Sequence, residues 1–324
     1  MRRGIDMVKK NKVAIIGAGQ VGATTAFTLA IKGLVSELVL IDIDKEKAEG
    51  EALDINHGMP FLNPAKIYAG TYADTKDAEV VIITAGLPRR PGQSRRDLIH
   101  SNNRIITDIV QQLNKYADDP VIIVATNPVD LMALSAQKTS KQPKNKVFGS
   151  GTLLDTARFR FALAQNCKIE ARSIHADIIG EHGEGELPVW SLANISGIPI
   201  AVYCDVCDRI CEPEKREELF VEVRDAGMEV IRKKGATYYA IALTLARITE
   251  AILRDEHSVL TVSLYLDGYL GINDVSMGLP AVIGSGGIQR VINLPLSLDE
   301  QKSFIATAEV LKELAKDMEE FKHQ

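Results

Sequence analysis

The sequence predicts an α/β protein: a doubly wound parallel sheet followed by a mixed α+β domain. Two observations carry this. Short, continuous apolar runs at 13–16, 38–41, 80–84 and 121–125 alternate with segments of helical periodicity, and strands without a polar face belong to parallel sheets covered on both sides. Near Gly149 the alternation gives way to long helical stretches and longer strands, and 324 residues exceed what one core usually serves. We therefore expect one domain over 1–150 and a second over 151–324.

In order, VAII at 13–16 leads into Gly17-Ala18-Gly19-Gln20-Val21-Gly22 and an amphipathic helix to about Lys32. The next run, LVLI at 38–41, ends in Asp42. A G-x-G-x-x-G word alone is weak. Between a strand and a helix, with an acidic residue at the end of the next strand, it is the Rossmann dinucleotide fingerprint. Gly17 permits the tight turn, Gly19 lets the backbone approach a pyrophosphate, Gly22 lets helix and strand pack, and the helix N-terminus offers unpaired N–H groups. The Asp42 carboxylate suits ribose hydroxyls and repels a 2′-phosphate, so the expected cofactor is NAD.

Residues 80–84 form the next strand, and 85–95, AGLPRRPGQSR, follow as a cationic loop that Pro88, Pro91 and Gly92 keep out of regular structure. Helical periodicity resumes from Leu98 to about Tyr116, and 121–125 is a strand ending near Asn127. Gly17, Asp42, the loop and Asn127 thus fall at strand carboxyl ends, where such sheets bind ligands. Beyond Gly149, Gly151 to Arg160 opens a helix, 174–179 reads as one strand entering Gly180-Glu181-His182-Gly183, and 214–254 reads as two helices broken near Gly235. Strands over 259–266 and 275–283 and a helix from Asp299 complete the chain.

A net charge of −5 and a pI near 5.8 argue against nucleic acid or an acidic membrane as partner. The basic N-terminus lacks the apolar core of a secretory signal and no run is long enough to span a bilayer, so a cytoplasmic protein is expected. Cys204, Cys207 and Cys211 have no nearby fourth ligand and share one helical face. They read as reduced thiols, and no metal is expected.

Asp155 and Arg158 are spaced for one helix face, where a surface ion pair is the plain explanation. His182 stands isolated between glycines. With the fold and the loop arginines they make a constellation that resembles the L-lactate/malate dehydrogenase family along nearly the whole chain. The matching words are GAGQVG at 17–22, LVLIDID at 38–44, ITAGLPRRPGQSRRDLIHSN at 83–102, ATNPVDL at 125–131, GSGTLLDTARFRF at 149–161, IIGEHGEGELPVWS at 178–191 and KKGATYYAIA at 233–242.

The resemblance implies an NAD-dependent 2-hydroxy acid dehydrogenase. It makes His182 the proton donor and acceptor, Asp155 its orienting partner, Arg158 the clamp on the substrate carboxylate, and Arg95, on a mobile loop at 86–97, the group that polarises the carbonyl. Asn127 and Thr237 would line the substrate side, and Gln20, Val21, Asn102 and Asn127 would join Gly17, Gly19, Gly22 and Asp42 around the cofactor. It also implies a homodimer or homotetramer. Arg89 occupies the position that is usually Gln in lactate enzymes and Arg in malate enzymes. Two arginines, Arg158 and Arg89, would pair both carboxylates of oxaloacetate, whereas pyruvate would leave Arg89 unpaired in a closed site. Malate is therefore the expected substrate and lactate the alternative. Thr237 leans to lactate, and Glu184-Gly185 departs from both groups. Arg160 and His175 match positions that bind fructose 1,6-bisphosphate in allosteric lactate enzymes, so a phosphosugar effector is a further expectation. A non-catalytic redox sensor would need only the nucleotide site, which the acid–base constellation argues against.

Overall fold

The computed structural model describes residues 11–88, 94–202 and 212–320. The first half runs β1 (Lys12–Ile16), α1 (Gln20–Ile31), β2 (Glu37–Ile41), α2 (Lys45–Gly58), β3 (Lys66–Ala69), β4 (Val80–Ile83), α3 (Arg95–Tyr116), β5 (Val121–Val124), α4 (Val129–Thr139) and β6 (Val147–Gly149). These strands pair in parallel in the order β3-β2-β1-β4-β5-β6. The order reverses between β1 and β4, the point where a sheet of this kind opens a crevice for a ligand. β1, β4 and β5 are buried at every position, as strands covered on both faces must be.

The second half comprises α5 (Leu153–Cys167), β7 (Ile174–His175), β8 (Ile178–Gly180), β9 (Glu186–Pro188), β10 (Asn194–Ile195), β11 (Ile198–Pro199), α6 (Pro213–Lys234), α7 (Tyr239–Leu253), β12 (Ser258–Tyr269), β13 (Ile272–Gly284), β14 (Gly287–Val291) and α8 (Leu298–Glu320). β12 lies antiparallel to β6 through Ser263 and Gly149. The main sheet therefore continues past residue 150 through β12, β13, β8 and β9, with β14 on β13. One large apolar cluster follows this sheet; a smaller one, including Phe159, Leu163, Ile178 and Val223, lies between α5, α6 and the short strands.

Several expectations change. The strand expected over 174–179 is broken: β7 joins a small sheet with β10 and β11, while β8 joins the main sheet. The break has a visible cause, because Arg160 takes the Ala176 carbonyl at 2.8 Å and the Asp177 carboxylate at 2.7 Å. α3 starts at Arg95 rather than Leu98. Ser94 and Asp97 form a capping box, the Ser94 hydroxyl accepting from the Asp97 N–H at 3.1 Å and the Asp97 carboxylate accepting from the Ser94 N–H at 3.3 Å. Cys167, fully buried at the end of α5, is disulfide-bonded. Cys204, Cys207 and Cys211 lie outside the described residues. No described helix is long and apolar enough to cross a membrane.

Candidate active site

The glycine turn fits a dinucleotide. Gly17 has φ 108°, and a Cβ on Gly22 would lie 1.8 Å from the Gly17 carbonyl oxygen, so neither position accepts a side chain without movement. A Cβ at Gly19 would meet nothing within 4 Å, and α1 has no side-chain cap. The first turn of the helix therefore has no side-chain cap for its N–H groups and no side chain at Gly19 to obstruct an approaching pyrophosphate. Asp42 stitches the turn together, accepting from the Ala18 N–H at 2.6 Å and from the Asp44 N–H at 3.0 Å. Each oxygen retains acceptor capacity for a ribose hydroxyl.

Next to this turn is a cavity of about 310 Å³ whose wall includes Val21, Asn127, Arg158, His182 and Thr237, five of the residues singled out in the sequence. Each arrives from a different element: Val21 from the first turn of α1, Asn127 from the end of β5, Arg158 from α5, His182 from the turn after β8, and Thr237 from between α6 and α7. Gln20 is exposed at the start of α1. Asn102 is placed differently from expectation. It is 1% exposed, and its amide is committed to the Leu87 backbone at 2.8 and 3.2 Å and to the Asn127 carbonyl at 2.8 Å. It anchors the root of the loop and the Asn127 turn rather than facing open space. Arg89 and the side chain of Arg95 lie outside the described residues.

Behind the cavity wall lies the Asp155 carboxylate, which has no exposed side-chain surface. One oxygen takes the Arg158 guanidinium at 2.8 Å and the other lies 2.5 Å from His182 Nδ1. A buried, unpaired carboxylate would cost several kcal/mol, and these two cations offset that. Burial alone would raise the Asp155 carboxyl; the imidazole and then the guanidinium pull it below its ordinary value. Burial likewise pulls the His182 ring down, but the Asp155 charge and hydrogen bond outweigh it and push the ring up to about 9. With Nδ1 committed to Asp155, Nε2 is the atom available to the cavity.

Two carboxyl groups beside this pair were not read from the sequence. Asp130, on α4, accepts from the His182 N–H at 2.8 Å and from the Ser263 hydroxyl, and fixes the turn after β8. Burial pushes it up to about 6 against those hydrogen bonds. Glu186, four residues after His182, brings Oε1 to 3.8 Å from Nδ1. α6 closes the other side with Arg224, Gly227, Met228 and Ile231. In the sequence this segment reads only as helical. Arg160 and His175 share a second cavity of about 280 Å³, where the Arg160 charge already meets Asp177.

Comparison with known proteins gives the chemistry. Residues 11–149 match the lactate/malate dehydrogenase NAD binding domain, and 152–322 match the lactate/malate dehydrogenase alpha/beta C-terminal domain. L-lactate dehydrogenase of Thermoanaerobacter sp. (strain X514) is 50% identical over 309 residues, covering 95% of this chain and 99% of the relative. That of Acetivibrio thermocellus is 48% identical over 308 residues, 95% of this chain and 97% of the relative. Among solved structures, a lactate dehydrogenase from a Medee basin deep-sea metagenome superposes with a TM-score of 0.92 at 41% identity, covering 96% of this chain and 99% of that one. The minor L-lactate dehydrogenase of Enterococcus mundtii gives 0.91 at 38%, covering 95% and 98%. The chain belongs to the lactate/malate dehydrogenase family, as an NAD-dependent oxidoreductase acting on the CH–OH group of a 2-hydroxy acid.

Proposed function

We propose that the chain interconverts pyruvate and L-lactate. The observation that carries the reading is the single Asp155 carboxylate holding both His182 and Arg158 at one wall of the cavity. Arg158 binds the substrate carboxylate, which places the 2-keto group beside His182. Bound at the glycine turn, NADH supplies the hydride. His182, held protonated by Asp155, gives its Nε2 proton to the developing alkoxide, and Arg95 steadies that oxygen. In the reverse direction neutral His182 takes the hydroxyl proton. Leu154, Met228, Ile231 and Ile241 give the cavity an apolar wall suited to a methyl group, and relatives at 45–50% identity are named L-lactate dehydrogenase.

This reverses the preference reached from the loop sequence. Oxaloacetate and L-malate remain the second reading, favoured by Arg89, whose charge would otherwise enter a closed site unpaired. The test is kcat/KM for pyruvate against oxaloacetate, with Arg89→Gln as companion. A wild-type preference for oxaloacetate that Arg89→Gln reverses would replace lactate with malate. We also infer a cytoplasmic homodimer or homotetramer. Its support is the exposed apolar surface at Phe27 and Ile31 on α1 and Tyr239 and Leu243 on α7; sedimentation as a monomer would overturn it. A phosphosugar effector at Arg160 and His175 is testable as a change in the saturation curve with fructose 1,6-bisphosphate.

A further inference from the structure

Glu186 sits where an ordinary carboxylate should not. Its side chain is 3% exposed, Oε1 is 3.8 Å from His182 Nδ1, and Oε2 is buried without a hydrogen-bond partner. It is also part of the cavity wall. The groups that act on it are Asp155 and Arg158 from α5, His182 and the Gly183 N–H from the turn after β8, and Arg224 from α6, while Asp130 from α4 acts on the same His182. From α8, Thr307 packs beside Gly185 and Glu181.

Charge counting shows the difficulty. Protonated His182 and Arg158 are balanced by Asp155 and the carboxylate of a bound keto acid. An ionised Glu186 would add a buried negative charge with no hydrogen bond on one oxygen, which is costly. A neutral acid is the cheaper resting form, and once ionised its negative charge would oppose the departure of the neighbouring imidazole proton.

We propose that Glu186 is a positioning residue for proton transfer: neutral at rest, it ionises as pH rises and then holds the proton on His182, extending keto-acid reduction to higher pH. This rests on His182 being the proton donor. Burial, followed by the charge of Asp155, pushes Glu186 up to about 8, just below the value of about 9 for His182, so the pair loses its protons in two linked steps.

The test is the pH profile of kcat/KM for whichever keto acid the wild-type enzyme reduces. Glu186→Gln keeps the shape of the neutral acid but cannot ionise. Its alkaline limb is expected to move down by on the order of one pH unit, so that the ratio of rates at pH 9 and pH 7 falls about fivefold. Glu186→Asp, which keeps an ionisable group, is expected to restore most of the shift. A limb that stays in place while rates fall equally at every pH would make Glu186 merely structural and overturn the proposal. Absence of any keto-acid turnover in the wild type would instead overturn the reading beneath it. Should Glu186→Gln fail to fold, NMR titration of the wild-type His182 ring, assigned by its loss in His182→Asn, gives the answer: two inflections are expected, and one overturns the proposal.

Discussion

His182 Nδ1 lies 2.5 Å from Asp155 Oδ2, and the other oxygen of that carboxylate is held by Arg158 at 2.8 Å. The acid–base group and the carboxylate clamp are therefore positioned by one anion. Asp155→Asn removes the charge that raises the imidazole and replaces one acceptor by a donor. We expect kcat/KM for keto-acid reduction to fall by roughly 10²–10⁴, the scale seen when a histidine loses its orienting carboxylate. We also expect the alkaline limb to move below that of the wild type. A loss of less than fivefold with the limb unmoved would show that Asp155 does not govern the proton.

The same pair makes stability depend on pH. The folded-state value of His182, about 9, lies above its ordinary 6.5. Its contribution is therefore fully present below about pH 6.5 and is lost as pH rises through about 9. The ceiling is about 3 kcal/mol, from the size of the shift. Urea unfolding at pH 6.5 and pH 9 is expected to show a smaller loss in His182→Asn than in the wild type, and an equal loss in both would contradict the assignment.

Arg158→Lys tests the clamp. Lysine keeps a charge but not the planar fork that can hold Asp155 and a substrate carboxylate together. KM for the keto acid is expected to rise at least tenfold, with a smaller fall in kcat. A fall confined to kcat would place Arg158 at the reacting oxygen instead.

How much of this was legible in sequence follows from how local each signal is. The glycine turn, Asp42 and the apolar strands are short-range patterns, and the structure bears out the strand–turn–helix they predict. α2 was missed because its sequence KEKAEGEALDINHG is polar and buries only Ala48, Ala52 and Ile55. α4 was missed for the opposite reason, since most of its residues are buried and leave no polar face to mark a period. The His182–Asp155 pair came from family resemblance, because 27 residues separate its members. Nothing local points to Asp130, 52 residues from His182, and the four-residue spacing of Glu186 does not by itself say which way its side chain turns. Asp130 reaches the turn after β8 from the start of α4, and the pairing of β8 with β9 brings Glu186 back beside His182.

Asp42 bears on cofactor choice. It already binds the Ala18 and Asp44 N–H groups, so it holds the turn and repels a 2′-phosphate together. Asp42→Ser keeps a short acceptor without the charge. The ratio of kcat/KM for NADPH to that for NADH is expected to rise at least tenfold, with NADH use also reduced because the turn loses a charged acceptor. An unchanged ratio would remove Asp42 from cofactor selection.

Asp130 gives a prediction in the unusual direction. Its value of about 6 lies above the ordinary 3.8, so its stabilising contribution is present below about pH 3.8 and is lost as pH rises through about 6. At neutral pH the fold carries a buried carboxylate it would hold better as a neutral group. In Asp130→Asn the amide oxygen can still accept the His182 N–H, and the amide nitrogen can donate to the Ser263 hydroxyl, which turns from donor to acceptor. The variant is therefore expected to be more stable than wild type at pH 8, by at most about 3 kcal/mol, and to show a flatter pH dependence between about 4 and 6. Asp130→Ala leaves the His182 N–H and the Ser263 hydroxyl unpaired and is expected to be less stable at every pH. Thermal unfolding of the three proteins at pH 5 and pH 8 decides the matter. If Asp130→Asn is destabilised at pH 8 as much as Asp130→Ala, the ionised carboxylate is itself what the turn after β8 requires.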